Sequence, residues 1–131
     1  MHMTKNTGGS DRIRTGKRGE DIAVDYLTQA GYRIMERNYR CLFGEIDIVA
    51  RDQDNIVFVE VKSRKSGEFG DPQLSVGLNK QKKISKISLN YIKEKHLHHC
   101  NARFDVVAVK MLPQGKEEVE LIQNAFDLAI G

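Results

Sequence analysis

Apolar residues along the chain recur at two spacings, one typical of helices and one of strands. From Gly16 to Ala30 they recur every three or four residues, and Gly31 follows where a glycine ends many helices. A second helical pattern runs from Lys80 to about Lys95 and has a strongly basic outer face. These two patterns predict amphipathic helices that each bury one side.

Shorter segments with alternating or continuous apolar residues predict the strands. Residues 32–38, 44–50 and 55–64 follow one another, with turn residues before the third, and predict a three-stranded meander. Residues 103–110 predict a further long strand after the second helix. The order helix, three strands, helix, strand indicates an α/β fold in which helices flank a mixed central sheet.

The remaining segments lack such regular spacing. Residues 1–15 are polar and glycine-rich, which predicts a disordered basic arm before a single domain over residues 16–131. Residues 63–79 contain three glycines and a proline, and they predict a mobile loop. Residues 119–126 predict a short last strand and a turn that packs Phe126 on the core.

Length and composition narrow the class of protein. With 131 residues, 40% of them hydrophobic, the chain is long enough for one domain with a substantial core. No apolar run approaches the roughly 18 to 20 residues of a membrane span, and the N-terminus lacks the apolar centre of a signal peptide. We therefore expect a cytoplasmic protein with no membrane partner, whose two cysteines stay reduced.

Charged residues interrupt the most apolar strand. Glu60 and Lys62 lie within NIVFVEVKSR, residues 55–64, and alternation places both on the same face as Phe58. An uncompensated charge there would cost several kcal/mol. Asp47, on the preceding strand, lies opposite Glu60 if the hairpin loop has an even number of residues, with Cβ atoms about 4.5 to 5.5 Å apart. An odd-numbered or bulged loop breaks this pairing.

Two carboxylates held that closely either share a proton or bind a cation. The inner stripe of the first helix extends back to Glu20, which adds a third acid on the core side. Oxygen ligands suit Mg²⁺ or Mn²⁺, so Asp47, Glu60 and Glu20 form a candidate metal site. Lys62 is then placed to activate a water or to stabilise charge on a phosphate. Strand spacing alone also allows an exposed ion pair between Glu60 and Lys62.

Basic residues are unevenly distributed, although the net charge is only +3. Any single cluster of them is typical of a solvated helix face, whereas three clusters around one charged site favour a polyanion such as nucleic acid. The residues expected to contact nucleic acid are Arg18, Arg64, Lys65, Lys80, Lys82, Lys83 and Lys86.

Other polar and aromatic residues are expected to have structural roles. Asp105 shares a strand face with Arg103, which predicts a structural ion pair rather than a metal ligand. Tyr39 and Tyr91 are expected in the core. Phe69, in the predicted loop, is the aromatic residue expected to stack on bases.

Seven short motifs occur in order along the chain: GKRGEDIAVDYL, GYRIMERNYR, GEIDIVARD, FVEVKSR, FGDP, KQKKI and RFDVV. Together they resemble the YraN-like family of small bacterial proteins. Members of that family are predicted nucleases, similar to archaeal Holliday junction resolvases in the restriction-endonuclease-like, or PD-(D/E)xK, superfamily. The resemblance runs from about Gly16 to Phe126 and implies a restriction-endonuclease-like α-β-β-β-α-β core.

The resemblance also implies roles for individual residues. Asp47, Glu60 and Lys62 match the active-site signature of the superfamily, although isoleucine stands before Asp47 where the motif is named for a proline. Glu20 matches an acid that resolvase-like members carry on the first helix. Gln81 matches a polar helper residue at the start of the second helix.

The expected function is a Mg²⁺- or Mn²⁺-dependent endonuclease that acts on DNA rather than RNA, including branched or junction DNA. A non-catalytic nucleic-acid-binding module with the same fold and charged cleft is the alternative. A protein-interaction adaptor is a third reading, and it would not need the carboxylates. The sequence leaves a homodimer open.

Overall fold

The computed structural model describes residues 8–65 and 76–129, with side chains from Gly16 onward, as a five-stranded sheet between two helices. Strand order in the sheet follows chain order, and β3 and β4 are parallel while the other neighbours are antiparallel. This confirms the expected α-β-β-β-α-β core, and β5 confirms the predicted short last strand, although it begins two residues earlier. The elements are α1 (Gly8–Gln29), β1 (Arg33–Cys41), β2 (Gly44–Asp52), β3 (Asn55–Lys65), α2 (Leu78–Glu94), β4 (Asn101–Met111) and β5 (Glu117–Ile122).

Each face of the sheet has its own apolar core. On one face Leu27 of α1 lies in a cluster with Val57 and Val59 of β3. On the other face Ile87 of α2 lies in a cluster with Phe58. These five side chains are fully buried, and burying each stabilises the fold by about 1.5–3 kcal/mol. Because β3 is covered on both faces, its sequence is almost continuously apolar.

The first helix begins at Gly8, eight residues before the predicted start. Residues 8–15 therefore belong to α1, and the prediction that they form part of a disordered arm is wrong. These residues carry little apolar pattern, but a helix that has already formed extends by one hydrogen bond for each residue it orders. The rest of the predicted arm, residues 1–7, lies outside the described residues.

The segment predicted as a loop is shorter than expected. β3 continues to Lys65 and α2 begins at Leu78, so both elements extend into the predicted range of 63–79. Residues 66–75, which include Phe69, lie outside the part of the chain that the structure describes.

Among the described residues, no helix has the length and apolar character of a membrane span.

The segment after β5 folds back over the core. The ring of Phe126 stacks on that of Phe104 with centroids 4.8 Å apart, which confirms the predicted packing of Phe126. Two backbone N–H groups hold the segment in place: Asn124 donates to Asp105 Oδ1 at 3.0 Å, and Ala125 donates to the carbonyl of Phe104 at 2.7 Å.

Asp105 is fully buried and lies in a network of hydrogen bonds. It accepts from the hydroxyl of Tyr32 at 2.7 Å and from Arg103 Nε at 2.9 Å, which confirms the predicted ion pair. Arg103 also contacts Asp52 at 2.9 Å. Burial raises the pKa of Tyr32 to about 12, so its hydroxyl stays protonated as a donor. The network ties the end of β2 to the residues that follow α1.

Candidate active site

The hairpin between β2 and β3 has the even-numbered loop on which the predicted acid pair depends. Its turn contains two residues, and Gln53 has the left-handed backbone that tight hairpin turns require, with φ of 56°. From this turn the strands pair in register as far as Ile48 opposite Val59. The next positions in the same register are Asp47 and Glu60.

The two strands separate at Asp47. The carboxylate Oδ2 of Asp47 accepts the backbone N–H of Val61 at 2.8 Å, so a side chain replaces a strand carbonyl as the acceptor. Regular alternation also breaks here, because Ile46 packs in the core beneath α2 whereas Ile48 packs in the core beneath α1. On the neighbouring strand Asn38, which faces Asp47 in register, has a left-handed backbone with φ of 54°. Asp47 therefore projects into the gap between β2 and β3.

Negative charge surrounds Asp47. Burial raises the pKa of Asp47 to about 7, and the charge of Glu60 is the next largest cause. Glu20 raises this pKa further, whereas the hydrogen bond from Val61 and the charge of Lys80 lower it. The two glutamates predicted from the sequence thus both lie within electrostatic reach of Asp47.

Cationic side chains pair with two of these acids. Lys80 Nζ lies 3.2 Å from Glu60 Oε2, and Arg37 Nη2 lies 3.7 Å from Glu20 Oε1. Arg37 also binds Asp21, at 2.7 Å. The sequence prediction included Lys80 only as a phosphate contact and assigned no role to Arg37. Arg37 lies on β1 and Glu20 lies on α1, so their contact depends on how these two elements pack. Local sequence patterns do not indicate that packing.

The donors fit a hard divalent cation by their chemistry. Among the described residues, no three Asp, Glu, His or Cys side chains converge as ligands of one ion. Mg²⁺ commonly binds through one or two carboxylates and completes its shell with waters and substrate phosphates, so a closed cage is not required. Asp47 and Glu60, whose mutual repulsion a cation would relieve, meet that requirement, and Glu20 is the third acid nearby.

A glycine lets α1 approach close enough for Glu20 to lie near this site. Gly19 is buried against β3, and a Cβ atom added to it would lie 2.6 Å from Ser63 Cβ and 2.7 Å from Ser63 Oγ. That separation is shorter than a real contact, so only glycine fits at this spacing. The residue that follows Gly19 is the acid.

Lys62 and Gln81 lie on either side of the chain segment that the structure does not describe. Lys62 is partly buried on β3, one pleat beyond Glu60. The side-chain amide of Gln81 donates to the carbonyl of Val76 at 2.7 Å, and its backbone N–H donates to that of Gly77. Gln81 therefore holds the first turn of α2, which carries Lys80, and its catalytic role stays a prediction.

The predicted nucleic-acid contacts lie in three places. Lys80, Lys82, Lys83 and Lys86 lie on α2, Arg64 and Lys65 lie at the end of β3, and Arg18 lies on α1. Of the lysines of α2, Lys80 lies at the acidic site, where it pairs with Glu60. Arg18 is exposed and faces β5, with its guanidinium 3.9 Å from Glu117.

Comparisons with known proteins identify the family. Residues 19–109 match the Uncharacterised protein family UPF0102. A UPF0102 protein of Syntrophus aciditrophicus is 62% identical over 131 residues, which cover 100% of this chain and 98% of that protein. A UPF0102 protein of Pelobacter propionicus is 49% identical over 126 residues, which cover 95% and 90% of the two chains.

Among solved structures, SfsA of Pyrococcus furiosus in complex with Ca²⁺ matches with a TM-score of 0.41 and 18% identity, over 92% of this chain and 65% of that one.

The names of the UPF0102 relatives state no activity. Because the family match spans most of the chain and the relatives align along nearly their whole length, this protein belongs to the UPF0102 family, as its YraN-like motifs predicted.

Proposed function

We propose that this protein is a divalent-metal-dependent nuclease that hydrolyses phosphodiester bonds in DNA. The observation that carries the proposal is the pair of carboxylates, Asp47 and Glu60, which repel each other at the point where the pairing of β2 and β3 ends. A structural ion pair with Lys80 needs only one acid at this point. A second acid raises the cost of burial, and a site for a doubly charged cation explains its presence.

Mg²⁺ or Mn²⁺ is the proposed cofactor, with Asp47 and Glu60 as ligands and Glu20 as an accessory acid whose charge acts at Asp47. When bound, such an ion would supply an activated water and neutralise charge that develops on the phosphate. The partial burial of Asp47 and Glu60 strengthens their attraction for a cation, because the effective dielectric constant is lower there than in water. The hydrogen bond that Asp47 accepts from the backbone N–H of Val61 orients its carboxylate.

Lys62 is proposed to serve the chemical step. It lies on the same strand as Glu60, one pleat further along, where it would accept a proton from the attacking water or stabilise the charge on the phosphate. The lysines of α2 and the basic end of β3 would hold the phosphate backbone, which contributes affinity without sequence preference. DNA, including branched and junction forms, is proposed from the likeness of the motifs to resolvase-like nucleases.

One observation favours the alternative of a non-catalytic nucleic-acid-binding module. Lys80 already neutralises Glu60, with 3.2 Å between the charged atoms. If this pair persists, the acids only position Lys80, and the other basic residues bind phosphates without cleavage. The two functions differ in whether Asp47 and Glu60 bind a metal.

Lys62→Ala and Glu60→Gln test the proposal. Lys62→Ala should lower cleavage of flap and junction DNA by about 10²–10³-fold, because a group that acts on developing charge is lost. Its metal affinity, measured by calorimetry, should stay near that of the wild type. Glu60→Gln should lose metal binding and cleavage together. Lys93→Ala removes an equal charge from the far end of α2 and serves as the control, with wild-type cleavage expected.

A wild-type protein that binds DNA but shows no metal-dependent cleavage of duplex, flap or junction DNA would support the binding module instead. Cleavage by Lys62→Ala at the wild-type rate would exclude Lys62 from the chemical step.

A further inference from the structure

The turn between β1 and β2 exposes two large apolar side chains. Cys41 pairs with Gly44, so the turn between them consists of Leu42 and Phe43. Two-residue hairpin turns favour Gly, Asn and Asp. Here Leu42 is 93% exposed and Phe43 is 43% exposed. Such exposure adds nothing to folding, and an adjacent pair at a protruding tip is suited to contact another molecule.

This apolar tip, Leu42 and Phe43, is anchored on α2 by close backbone packing. Gly44 has φ of +133°, and a Cβ atom added to it would lie 2.5 Å from Lys83 Cε and 3.5 Å from Ile87 Cδ1. The ammonium nitrogen of Lys83 is 3.4 Å from the same point. The charged end of Lys83 therefore lies beside the tip, and α2 packs against the residue that follows the tip.

The same helix connects the tip to the acidic site. Lys80 pairs with Glu60, and Lys83 follows three residues later on the same side of α2, about 4.5 Å further along the axis. Successive nucleotides of one strand rise by about 3.4 Å. A nucleic-acid strand that crosses Lys80 and Lys83 would thus bring its bases to the tip within a few nucleotides of the acids.

We propose that Leu42 and Phe43 form a wedge that contacts the bases of a nucleic acid bound across the site of Asp47 and Glu60, while Lys83 contacts the adjoining phosphate. The proposal rests on the nucleic-acid substrate proposed above. Apolar side chains unstack base steps, and an aromatic ring stacks on an unpaired base. Unstacking costs least where pairing is already interrupted, so the wedge favours gaps, flaps and junctions over continuous duplex.

Leu42→Ala and Phe43→Ala test the wedge, with Tyr26→Ala as the matched control. Tyr26 is 39% exposed on α1, close to the exposure of Phe43. Binding to gapped and flap DNA would be followed in chelator by fluorescence anisotropy, with 2-aminopurine placed at the interruption. The wild type should increase the 2-aminopurine fluorescence. Each wedge variant should lose most of this increase and about tenfold in affinity, and Tyr26→Ala should lose neither.

The dependence of affinity on salt separates the wedge from phosphate contacts. Leu42→Ala and Phe43→Ala should leave the slope of log K against log salt unchanged, because they remove no charge. Lys83→Ala should reduce that slope by about one. Melting curves of all variants, which alter exposed positions, should match the wild type and show that each is folded.

Three results would overturn the wedge. One is wild-type affinity and fluorescence in both apolar variants. Another is that the wild type is a dimer, that Leu42→Ala or Phe43→Ala makes it a monomer, and that DNA binding stays unchanged. The tip would then join two copies of the chain. The third is no binding of any DNA by the wild type. Because binding is measured without metal, a protein that binds through the tip but never cleaves would refute the nuclease and leave the wedge standing.

Discussion

At the scale of single residues, two carboxylates in the sheet have opposite surroundings. Asp105 is fully buried and accepts hydrogen bonds from Tyr32, Arg103 and the backbone of Asn124. Asp47 accepts one from the backbone of Val61 and faces the negative charge of Glu60. The first acid has three hydrogen-bond donors around it, whereas the second is held at a cost that a bound cation would offset.

This difference predicts how stability depends on pH in chelator. The pKa of Asp47 is about 7 in the folded protein and near 3.8 when unfolded, so the folded state holds this proton more tightly. The stability that it contributes is present below about pH 4 and is lost as the pH rises to about 7. Asp47→Asn should therefore exceed the wild type in unfolding free energy at about pH 8, and the difference should shrink toward pH 4. Urea denaturation across this range measures it.

Asp105→Asn is the control for this experiment. It should lower stability by about 3–5 kcal/mol, because Arg103 keeps its charge in a partly buried place without its main partner. If the difference in unfolding free energy between Asp47→Asn and the wild type is constant with pH, the proposed cost of holding a charged Asp47 is contradicted.

Added Mg²⁺ should raise the melting temperature of the wild type but not of Asp47→Asn. A ligand that binds only the folded state stabilises that state by mass action, and the variant lacks one of the two proposed metal ligands.

At the scale of elements, the approach of α1 to β3 decides whether Glu20 reaches the site. The contact is made by the backbone of Gly19 against the side chain of Ser63. Gly16 lies one turn earlier on the same helix, and a Cβ atom added there would meet nothing within 4 Å. The chain thus offers two glycines that differ mainly in packing.

Gly19→Ala and Gly16→Ala should change stability in opposite directions. Gly16→Ala should raise the unfolding free energy by about 0.5–1 kcal/mol, because alanine favours helix. Gly19→Ala should lower it by about 1–3 kcal/mol, because its methyl group would push α1 from β3. Metal affinity should fall in Gly19→Ala alone, as Glu20 moves away. Urea denaturation and calorimetry measure both effects, and equal stabilisation by the two changes would show that the contact is not tight.

At the scale of the whole molecule, charge distribution matters more than net charge. The chain carries 21 Lys and Arg against 18 Asp and Glu, so long-range attraction for a polyanion is weak. Lys80 nevertheless pairs with Glu60, and the other basic residues predicted to bind phosphate lie on the same helix, at the end of β3 and on α1. Phosphate contacts from these residues should dominate affinity.

DNA affinity should accordingly fall steeply with salt and vary little with sequence. If five phosphates are contacted, log K should fall with log salt at a slope of about −4.5. Anisotropy titrations with two unrelated sequences of equal structure, at several salt concentrations, give the slope. A slope near zero, or a strong preference between the two sequences, would argue against a phosphate-based interface.

The sequence by itself determined most of the elements and the family. Helical spacing and apolar strands are local patterns, so both helix faces, the meander and the order of the core could be predicted from them. From the sequence, the register that brings Asp47 toward Glu60 follows only for an even-numbered loop between β2 and β3, and the two-residue turn meets that condition. Ordered motifs added the family, which the match over residues 19–109 confirms.

Only the tertiary structure decided how these residues are surrounded. Separation of the strands at Asp47, the pairing of Arg37 with Glu20 and that of Lys80 with Glu60 all join segments far apart in the chain. The exposure of Leu42 likewise depends on what the rest of the fold covers. Local spacing sets which way a side chain points, whereas the packing of helices on the sheet sets what it meets and therefore its charge state and reach.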